Sequence, residues 1–375
     1  MTQLHDAMAA RVAKGEYPGL VVLVARGDQV HVNEIGFFNF DGKRPMTRDT
    51  LFRIASMTKP VVAAATMMLV EDGVIALDEP VDRLLPELAG PRVLARVDGP
   101  LDETVPARRA VTIEDLLTFR MGSGLLTEPT FMPSFPIVEA GEQLRLTLGP
   151  PDPRTPHPPD EWIRLFGTLP LMYQPGERWL YNFGALVLGV LVARAARMPL
   201  PDVLRTRVFE PLGMVDTGFH TTPGNLERIP DYYMTDAATG EVALQPVSAP
   251  EQWSQPPVFP SGADGLLSTV DDYLKFARLL LAGGGDLLSP GSVRMMTTNH
   301  LTPEQIATGG IILDPKGWGY GMSVSPEGWY GWDGGYGTIW FNDPDRKLIG
   351  MAFSQCSDFL FNGSKAEFIQ LARGE

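Results

Sequence analysis

A strong hydrophobic pattern covers residues 61–70, which are small or apolar except for one threonine. The run has no interior glycine and ends at Glu71-Asp72-Gly73, so it predicts a buried helix. Pro60 is compatible with such a helix only close to its first turn. Ser56 therefore lies at or beside the helix N-terminus, and Lys59, three residues later, lies on the same face.

The pattern predicts β-strands near both ends of the chain. Residues 19–24 are apolar, residues 30–35 alternate with polar positions, and Arg26-Gly27-Asp28 between them predicts a hairpin turn. Towards the C-terminus, short strands are expected at residues 318–324, 329–332, 338–342 and 348–354. Residues 343–346 predict the turn between the last two strands. Terminal helices are expected at residues 3–15 and from a Ser364 cap to Arg373.

The middle of the chain has mainly helical patterns. Thr112 begins one helix with a capping-box pattern, residues 184–198 form a strongly apolar one, and Thr269 caps a third. Residues 127–160 instead are rich in proline and lack periodicity, which predicts a packed wall beside a pocket. Asp160 at its end is expected to cap another helix, and His157 to serve the loop rather than act as a catalytic base.

Together these patterns predict an α+β fold, an α/β sandwich. Strands from both ends of the chain would join in one antiparallel sheet that is covered by the terminal helices. Residues 1–75 and 260–375 would form this sheet domain. Residues 76–259 would form a mainly helical domain that includes the wall loop at 127–160.

Composition limits the classes of partner. The chain has 375 residues and a formal net charge of −14, which disfavours nucleic acid and anionic membranes. No signal peptide or run of transmembrane length is evident, and Cys356 is the single cysteine. A lone thiol excludes an internal disulfide, so we expect a cytoplasmic protein with a buried, inert Cys356. The scattered histidines lack ligand spacing, so neither a metal nor a cofactor is expected.

Ser56 and Lys59 carry the first chemical signal. A serine hydroxyl becomes a useful nucleophile when a nearby base takes its proton, and a lysine of lowered pKa can do this. The alternative is a helix cap followed by a surface charge, since S-x-x-K is common by chance. The catalytic interpretation is favoured because Lys59 lies between Ala55 and the apolar run.

Two further stretches carry candidate chemistry. Tyr181 stands where the segment 175–184 enters the apolar helix, and a tyrosine there can serve as base and acid. Residues 331–338 combine an expected strand with several glycines, so a backbone N–H there could donate to an oxyanion. A packed aromatic and a bulged strand are the alternatives for these two stretches.

With these three pieces the sequence resembles the serine β-lactamase and penicillin-binding-protein superfamily. Ser56-Met57-Thr58-Lys59 matches its S-x-x-K motif, Tyr181 the tyrosine of Y-x-N, and Trp332-Asp333-Gly334 the strand motif that is K-T-G in β-lactamases. Weaker matches are residues 77–81, 209–214 and 261–269. Phe183 replaces the asparagine, and Trp332 replaces the lysine. This pattern is similar to that of the family VIII carboxylesterases, which share the class C β-lactamase fold, and no G-x-S-x-G elbow occurs.

The resemblance implies a serine hydrolase of short-chain carboxylic esters. Ser56 would attack the carbonyl carbon, and Lys59 and Tyr181 would together move its proton. The N–H groups of Ser56 and Gly335 would form the oxyanion hole, and the substrate would be a small-molecule ester. Its binding residues would be Phe183, Trp332, Asp333, Gly334 and Tyr336.

Three alternatives remain open at this point. The chain could be an amide or β-lactam hydrolase of the same fold, or an acyltransferase that passes the acyl group to an alcohol. It could also be a catalytically inactive binding relative. The oligomeric state and the natural ester are not predicted.

Overall fold

The computed structural model describes residues 2–146, 155–246, 249–313 and 315–375. Its helices are α1 (Thr2–Ala13), α2 (Thr58–Glu71), α3 (Ile113–Leu117), α4 (Pro136–Gln143), α5 (Pro159–Phe166), α6 (Phe183–Ala196), α7 (Leu200–Leu204), α8 (Glu210–Leu212), α9 (Val270–Leu281), α10 (Pro290–Met296), α11 (Pro303–Ala307), α12 (Gly310–Leu313) and α13 (Ser364–Arg373). Its strands are β1 (Gly19–Arg26), β2 (Gln29–Gly36), β3 (Phe52–Arg53), β4 (Arg92–Leu94), β5 (Thr104–Pro106), β6 (Tyr233–Thr235), β7 (Val242–Leu244), β8 (Leu267–Ser268), β9 (Gly317–Trp318), β10 (Ser323–Val324), β11 (Tyr330–Gly334), β12 (Thr338–Asp343) and β13 (Leu348–Ser354).

Strands from the two ends of the chain form one antiparallel sheet, as the sequence predicts. In the described part of the chain this sheet has seven strands in the order β2-β1-β13-β12-β11-β10-β9. The N- and C-terminal segments meet where β1 pairs with β13, with Val21 opposite Phe353. Residues 348–354 form the strand predicted for them. The predicted α+β fold is confirmed, because strands from both ends of the chain share this sheet.

Both faces of the sheet are covered. On one face Val21 and Leu23 of β1 pack into the larger core, which also contains most of α2. On the other face Leu20 and Val22 join the smaller core beneath α1 and α13, with Phe368 of α13. Burial on both sides explains why β1 is a continuous apolar run instead of an alternating one.

Helix α2 is buried on all sides from Thr58 to Leu69. Its small residues let neighbouring segments approach closely. A Cβ atom on Gly321 would lie 2.8 Å from the carbonyl oxygen of Lys59, and Gly321 has a φ of +73°. The turn before β10 therefore packs directly on the first turn of α2, which places the Ser56 end of this helix beside the sheet.

The prediction of a single strand over residues 318–324 is wrong. The structure has two short strands there, β9 and β10, joined by a turn in which Gly319 N–H donates to the carbonyl of Met322 at 2.9 Å. Gly319 approaches Met296 so closely that an added Cβ would lie 2.0 Å from its carbonyl oxygen. This long-range contact bends the apolar run.

Three local expectations in the helical regions need correction. The stretch 127–160 contains helix α4 and the beginning of α5, while its residues 147–154 lie outside the described part. Asp160 is in the first turn of α5, whose cap position is Pro158, and the cap of α13 is Gly363 instead of Ser364. The caps predicted at Thr112 and Thr269 are confirmed, since each accepts a backbone N–H.

Within the described ranges, no single helix is long and apolar enough to cross a membrane. Helices Phe183–Ala196 and Leu200–Leu212, bent by 76°, meet the length and composition criterion only as a pair.

Candidate active site

Ser56 lies in a tight turn between β3 and α2. Residues Ala55–Met57 form a single 3₁₀ turn immediately before Thr58, and Ser56 is 3% exposed. Ala55 has a φ of +43°, a left-handed conformation that is strained for a residue with a side chain. Strain of this kind persists where packing imposes it, and here Ala55 packs against the rings of Tyr232 and Tyr336.

Lys59 contacts Ser56 directly. Its Nζ donates to Ser56 Oγ at 2.9 Å and to the carbonyl oxygen of Ala263 at 2.7 Å. The same Nζ lies 4.6 Å from the ring centroid of Tyr181, so three groups surround one ammonium. Lys59 is 1% exposed, and burial lowers its pKa to about 7 although the carboxylate of Asp264 raises it. A neutral amine is therefore available near neutral pH.

Tyr181 completes a hydrogen-bonded chain of side chains. Trp332 Nε1 donates to the Tyr181 hydroxyl at 2.8 Å, and the Ser56 hydroxyl hydrogen-bonds the same oxygen. Burial raises the pKa of Tyr181 well above its ordinary value, although the bonds from Ser56 and Trp332 lower it. Trp332 thus contributes a neutral N–H donor at the position where the resemblance places a lysine.

The Tyr181 ring is held by other aromatic rings and by its own backbone. Phe119 and Trp179 have ring centroids 5.8 and 5.7 Å from that of Tyr181. Asn182 has φ +83° and ψ −53°, and Phe183 N–H donates to the carbonyl of Tyr181 at 3.2 Å. These values describe a γ-turn, a rare and strained conformation that turns the chain abruptly into α6.

Two residues predicted to bind substrate instead pack in the core. Phe183 is 2% exposed, and its ring stacks on Phe166 at a centroid distance of 5.5 Å. The γ-turn places Phe183 at the first position of α6. Tyr336 is 1% exposed and packs edge-on against Tyr232 at 4.6 Å, so it supports the turn that carries Ser56.

Asp333 faces away from Trp332, and its role in substrate binding stays a prediction. Neighbouring residues of a strand point to opposite faces, so Trp332 lies in the larger core while Asp333 points towards α13. There Lys365 Nζ lies 2.7 Å from Asp333 Oδ2 in an ion pair. The carboxylate of Asp333 raises the pKa of Lys365, against the effect of burial.

The glycines of this strand lie beside the Ser56 turn. A Cβ atom on Gly334 would be 2.2 Å from the carbonyl oxygen of Ile54, so only glycine permits this approach. Gly334 therefore brings the strand close to the turn. Gly335 follows at the end of β11, and its role as an oxyanion donor stays a prediction.

The remaining expectations concern a histidine, a cysteine and metals. His157 Nε2 lies 2.9 Å from the carbonyl oxygen of Leu144, which ties the ring to its own loop region. Cys356 is buried, and burial raises the pKa of its thiol to about 12, as expected for an unreactive cysteine. Within the described ranges, no group of three or more histidine, cysteine or acidic side chains could hold a metal ion.

One charged residue near the site was missed as a candidate. Asp264 is 3% exposed and follows Ala263, whose carbonyl accepts the Lys59 bond. Its charge acts on the pKa values of both Lys59 and Tyr181. The available signal was an acidic residue within the small-residue motif at 261–269, which otherwise has no charged side chain.

The sheet-and-helix framework that carries the buried serine, lysine and tyrosine is of the β-lactamase type. A family model described as Beta-lactamase matches residues 4–373, so the chain belongs to that family. The fold and the match agree on a β-lactamase-fold enzyme, a hydrolase or acyltransferase.

Individual relatives add detail. The chain is 39% identical over 374 residues to Protein Rv1367c of Mycobacterium tuberculosis (strain ATCC 25618 / H37Rv), covering 94% of this chain and 89% of that protein. It is 32% identical over 372 residues to Esterase EstB of Burkholderia gladioli, covering 92% and 87% of the two chains. The solved structure of EstCE1, described as a hydrolase with promiscuous acyltransferase activity, superposes with a TM-score of 0.82 at 25% identity. That superposition covers 99% of this chain and 97% of EstCE1.

Proposed function

We propose that this protein is a serine hydrolase of carboxylic esters with short acyl groups. The observation that carries the proposal is the continuous contact from Lys59 Nζ to Ser56 Oγ and on to the Tyr181 hydroxyl. This is the arrangement that a serine nucleophile needs, because base and nucleophile are within hydrogen-bond distance and buried together. The esterase relative EstB supports the same substrate class.

In the first half of the reaction Ser56 Oγ attacks the ester carbonyl carbon and loses its proton. The carbonyl oxygen becomes an oxyanion, which the N–H groups of Ser56 and Gly335 would hold at the N-terminal end of α2. Collapse of the tetrahedral intermediate breaks the bond to the alcohol oxygen. The stored proton passes to that alkoxide, and the acyl group stays on Ser56 until water removes it.

The pKa directions favour Lys59 as the proton acceptor. Burial lowers the pKa of Lys59 to about 7, so the neutral amine is populated near neutral pH. Burial raises the pKa of Tyr181, so its phenol stays protonated there. Tyr181 would then relay a proton between Ser56, Lys59 and the leaving alcohol instead of acting as a standing phenolate.

The neutral character of Trp332 favours an ester over a β-lactam. A β-lactam carries a carboxylate that the lysine of K-T-G would meet, whereas Trp332 supplies an uncharged N–H that is already bonded to Tyr181. The side chain at 183 is packed on Phe166 and offers no amide grip. A small, uncharged ester needs neither of these contacts.

Acyl transfer to an alcohol is a second candidate, favoured by the likeness to EstCE1, a hydrolase with promiscuous acyltransferase activity. Transfer and hydrolysis share the acyl-enzyme and differ in whether an alcohol or water attacks it. An inactive binding relative is disfavoured by the Ser56–Lys59 contact. The cytoplasmic location and the two domain boundaries stay predictions.

The nucleophile can be tested with p-nitrophenyl acetate and a fluorophosphonate probe. We expect the wild-type protein to cleave the ester and to carry the probe on Ser56, located by mass spectrometry. Ser56→Ala should lose essentially all turnover yet fold, since the loss of a helix cap costs only about 1 kcal/mol. An adduct on another residue, or an active Ser56→Ala protein, would reject the assignment.

A further inference from the structure

A cavity of about 280 Å³ lies beside the loop 261–266, which precedes β8. The buried part of its lining, here called the inner wall, includes the rings of Phe219, Trp253 and Phe259. None of the described residues that line the cavity is charged. The inner wall is therefore a largely aromatic, uncharged surface.

The exposed part of the lining forms the rim of the cavity. Val258 at the rim is 58% exposed, and the amide side chains of Gln252 and Gln255 are exposed as well. Thr155 and Pro156, near the end of the stretch predicted to form a pocket wall, also line the cavity. The cavity thus has polar amides towards solvent and aromatic rings towards the interior.

The inner wall is held in place by the packing behind it. Phe259 packs on the fully buried Trp162, with ring centroids 5.1 Å apart. Trp253 packs with Leu51 and Leu267 in a small core cluster. Because these walls are fixed before a ligand arrives, binding there costs little ordering of side chains.

The inner wall also includes part of the loop that contacts Lys59. Ser261 and Gly265 line the cavity, and Ala263 between them accepts the hydrogen bond from Lys59 Nζ at 2.7 Å. Gly265 has a φ of +106°, a conformation that favours glycine, so backbone without a side chain forms this part of the wall. A group bound against the inner wall therefore lies against the same loop that holds Lys59 beside Ser56.

The size and the lining of the cavity define the chemistry of a ligand. An apolar cavity of about 150 Å³ is enough for one benzene ring. The larger volume here fits a fused pair of rings or a branched alkyl chain. A charged group would lose its hydration against the inner wall without gaining a counter-ion, which is costly. The cavity therefore fits an uncharged, apolar group.

We propose that this cavity binds the apolar group of the ester substrate, in either its acyl or its alcohol portion. The inference rests on the proposed function and deepens it, because it names the substrate class as uncharged esters with a ring or a branched chain. The inner wall would desolvate this group, and the loop 261–266 would lie between the group and Lys59.

The first test compares pairs of esters that differ in the size of one group. The alcohol arm measures the ratio of kcat/KM for 2-naphthyl acetate to that for phenyl acetate, and the acyl arm the ratio for p-nitrophenyl octanoate to that for the acetate. Val258→Trp places an indole at the rim, so the ratio should fall by roughly tenfold or more in the arm whose group occupies the cavity. Unchanged ratios in both arms would overturn the proposal.

Val215→Trp is the matched control. Val215 is also an exposed valine, but it lies outside the described lining of this cavity. The same substitution there should leave both ratios unchanged, and an equal fall in this control would overturn the proposal as well. If Val258→Trp does not fold, Val258→Phe gives the same comparison with a smaller ring.

Binding without turnover separates this proposal from the proposed function. The probe is N-phenyl-1-naphthylamine, a neutral aromatic amine whose fluorescence rises in apolar surroundings, added to the Ser56→Ala protein. We expect the probe to bind, to lose most of its affinity when Val258→Trp is added, and to keep it when Val215→Trp is added.

The combined results assign each failure to one proposal. Probe binding that depends on Val258, in a protein whose wild type cleaves no ester, would reject the proposed function and retain the cavity as a ligand site. Ester cleavage with unchanged ratios would retain the proposed function and reject the cavity as a substrate site. Probe binding that Val258→Trp weakens would then show a separate ligand site, which also overturns the substrate role.

Discussion

At the scale of single residues, the site depends on direct hydrogen bonds between its side chains and the surrounding backbone. Lys59 reaches both Ser56 and Ala263, while Tyr181 accepts a hydrogen bond from Trp332 and shares another with Ser56. Each of these atoms is buried, so its bonds compete little with water and its proton affinity is set by its neighbours. Removing one member therefore changes the protonation of the others as well as the contact itself.

This coupling leads to a prediction for Lys59 and Tyr181. Lys59→Ala and Tyr181→Phe should each lower kcat by roughly two orders of magnitude or more, as expected for general acid–base groups. Because both act on the same proton, the double variant should be little slower than the slower single variant. The measurement is kcat for p-nitrophenyl acetate in the four proteins, with folding checked by circular dichroism. Full additivity of the two losses would show that the residues act separately.

At the scale of elements, neighbouring residues of strand β11 face opposite sides of the sheet and have different partners. Trp332 faces Tyr181, while Asp333 faces helix α13 and pairs with Lys365. The two-residue period of a strand explains this division. It also explains how the motif residue Asp333 reaches the terminal helix.

The Asp333–Lys365 pair should therefore affect stability more than catalysis. Lys365→Met should lower the free energy of unfolding by about 1–3 kcal/mol, because it leaves a partly buried carboxylate without its charged partner. Adding Asp333→Asn should recover part of this loss. Urea unfolding measures the effect, and the KM for a short ester serves as the control and should stay close to that of the wild type. A large rise in KM without loss of stability would instead show that Asp333 takes part in substrate binding.

At the scale of the whole molecule, the sheet and the helical region bring together residues that are far apart in sequence. Ser56, Tyr181, Asp264 and Trp332 come from four separate segments. The site has an uncharged donor at Trp332 and no amide side chain at position 183. Its substrate preference is thus a property of the assembled site.

The assembled site should favour esters over β-lactams. The ratio of kcat/KM for p-nitrophenyl butyrate to that for a chromogenic cephalosporin should greatly exceed unity in the wild type. Trp332→Lys places a cation beside Tyr181 and should lower this ratio, since it offers a partner for the β-lactam carboxylate. Trp332→Phe is the matched control, because it removes the indole N–H without adding charge. A wild-type ratio that favours the cephalosporin would contradict the ester assignment.

Local patterns in the sequence determined the parts of this protein that depend on neighbouring residues. The buried helix α2, the strands β1 and β13 and the spacing of Ser56 and Lys59 follow from hydrophobic runs and the helical period. The helix caps at Thr112 and Thr269 follow from hydrogen bonds that span three residues. Tyr181 was predicted from its motif, and the structure places it against Ser56.

The tertiary structure alone decided where side chains at the junctions point and which distant groups meet. The γ-turn at Asn182 places Phe183 in the core, and the alternation of side chains along β11 places Asp333 next to Lys365. The bond from Trp332 to Tyr181 and the bond from Lys59 to Ala263 join segments separated by 151 and 204 residues. No local pattern encodes such contacts, because they depend on how the loop 261–266 and the sheet pack against the two helices.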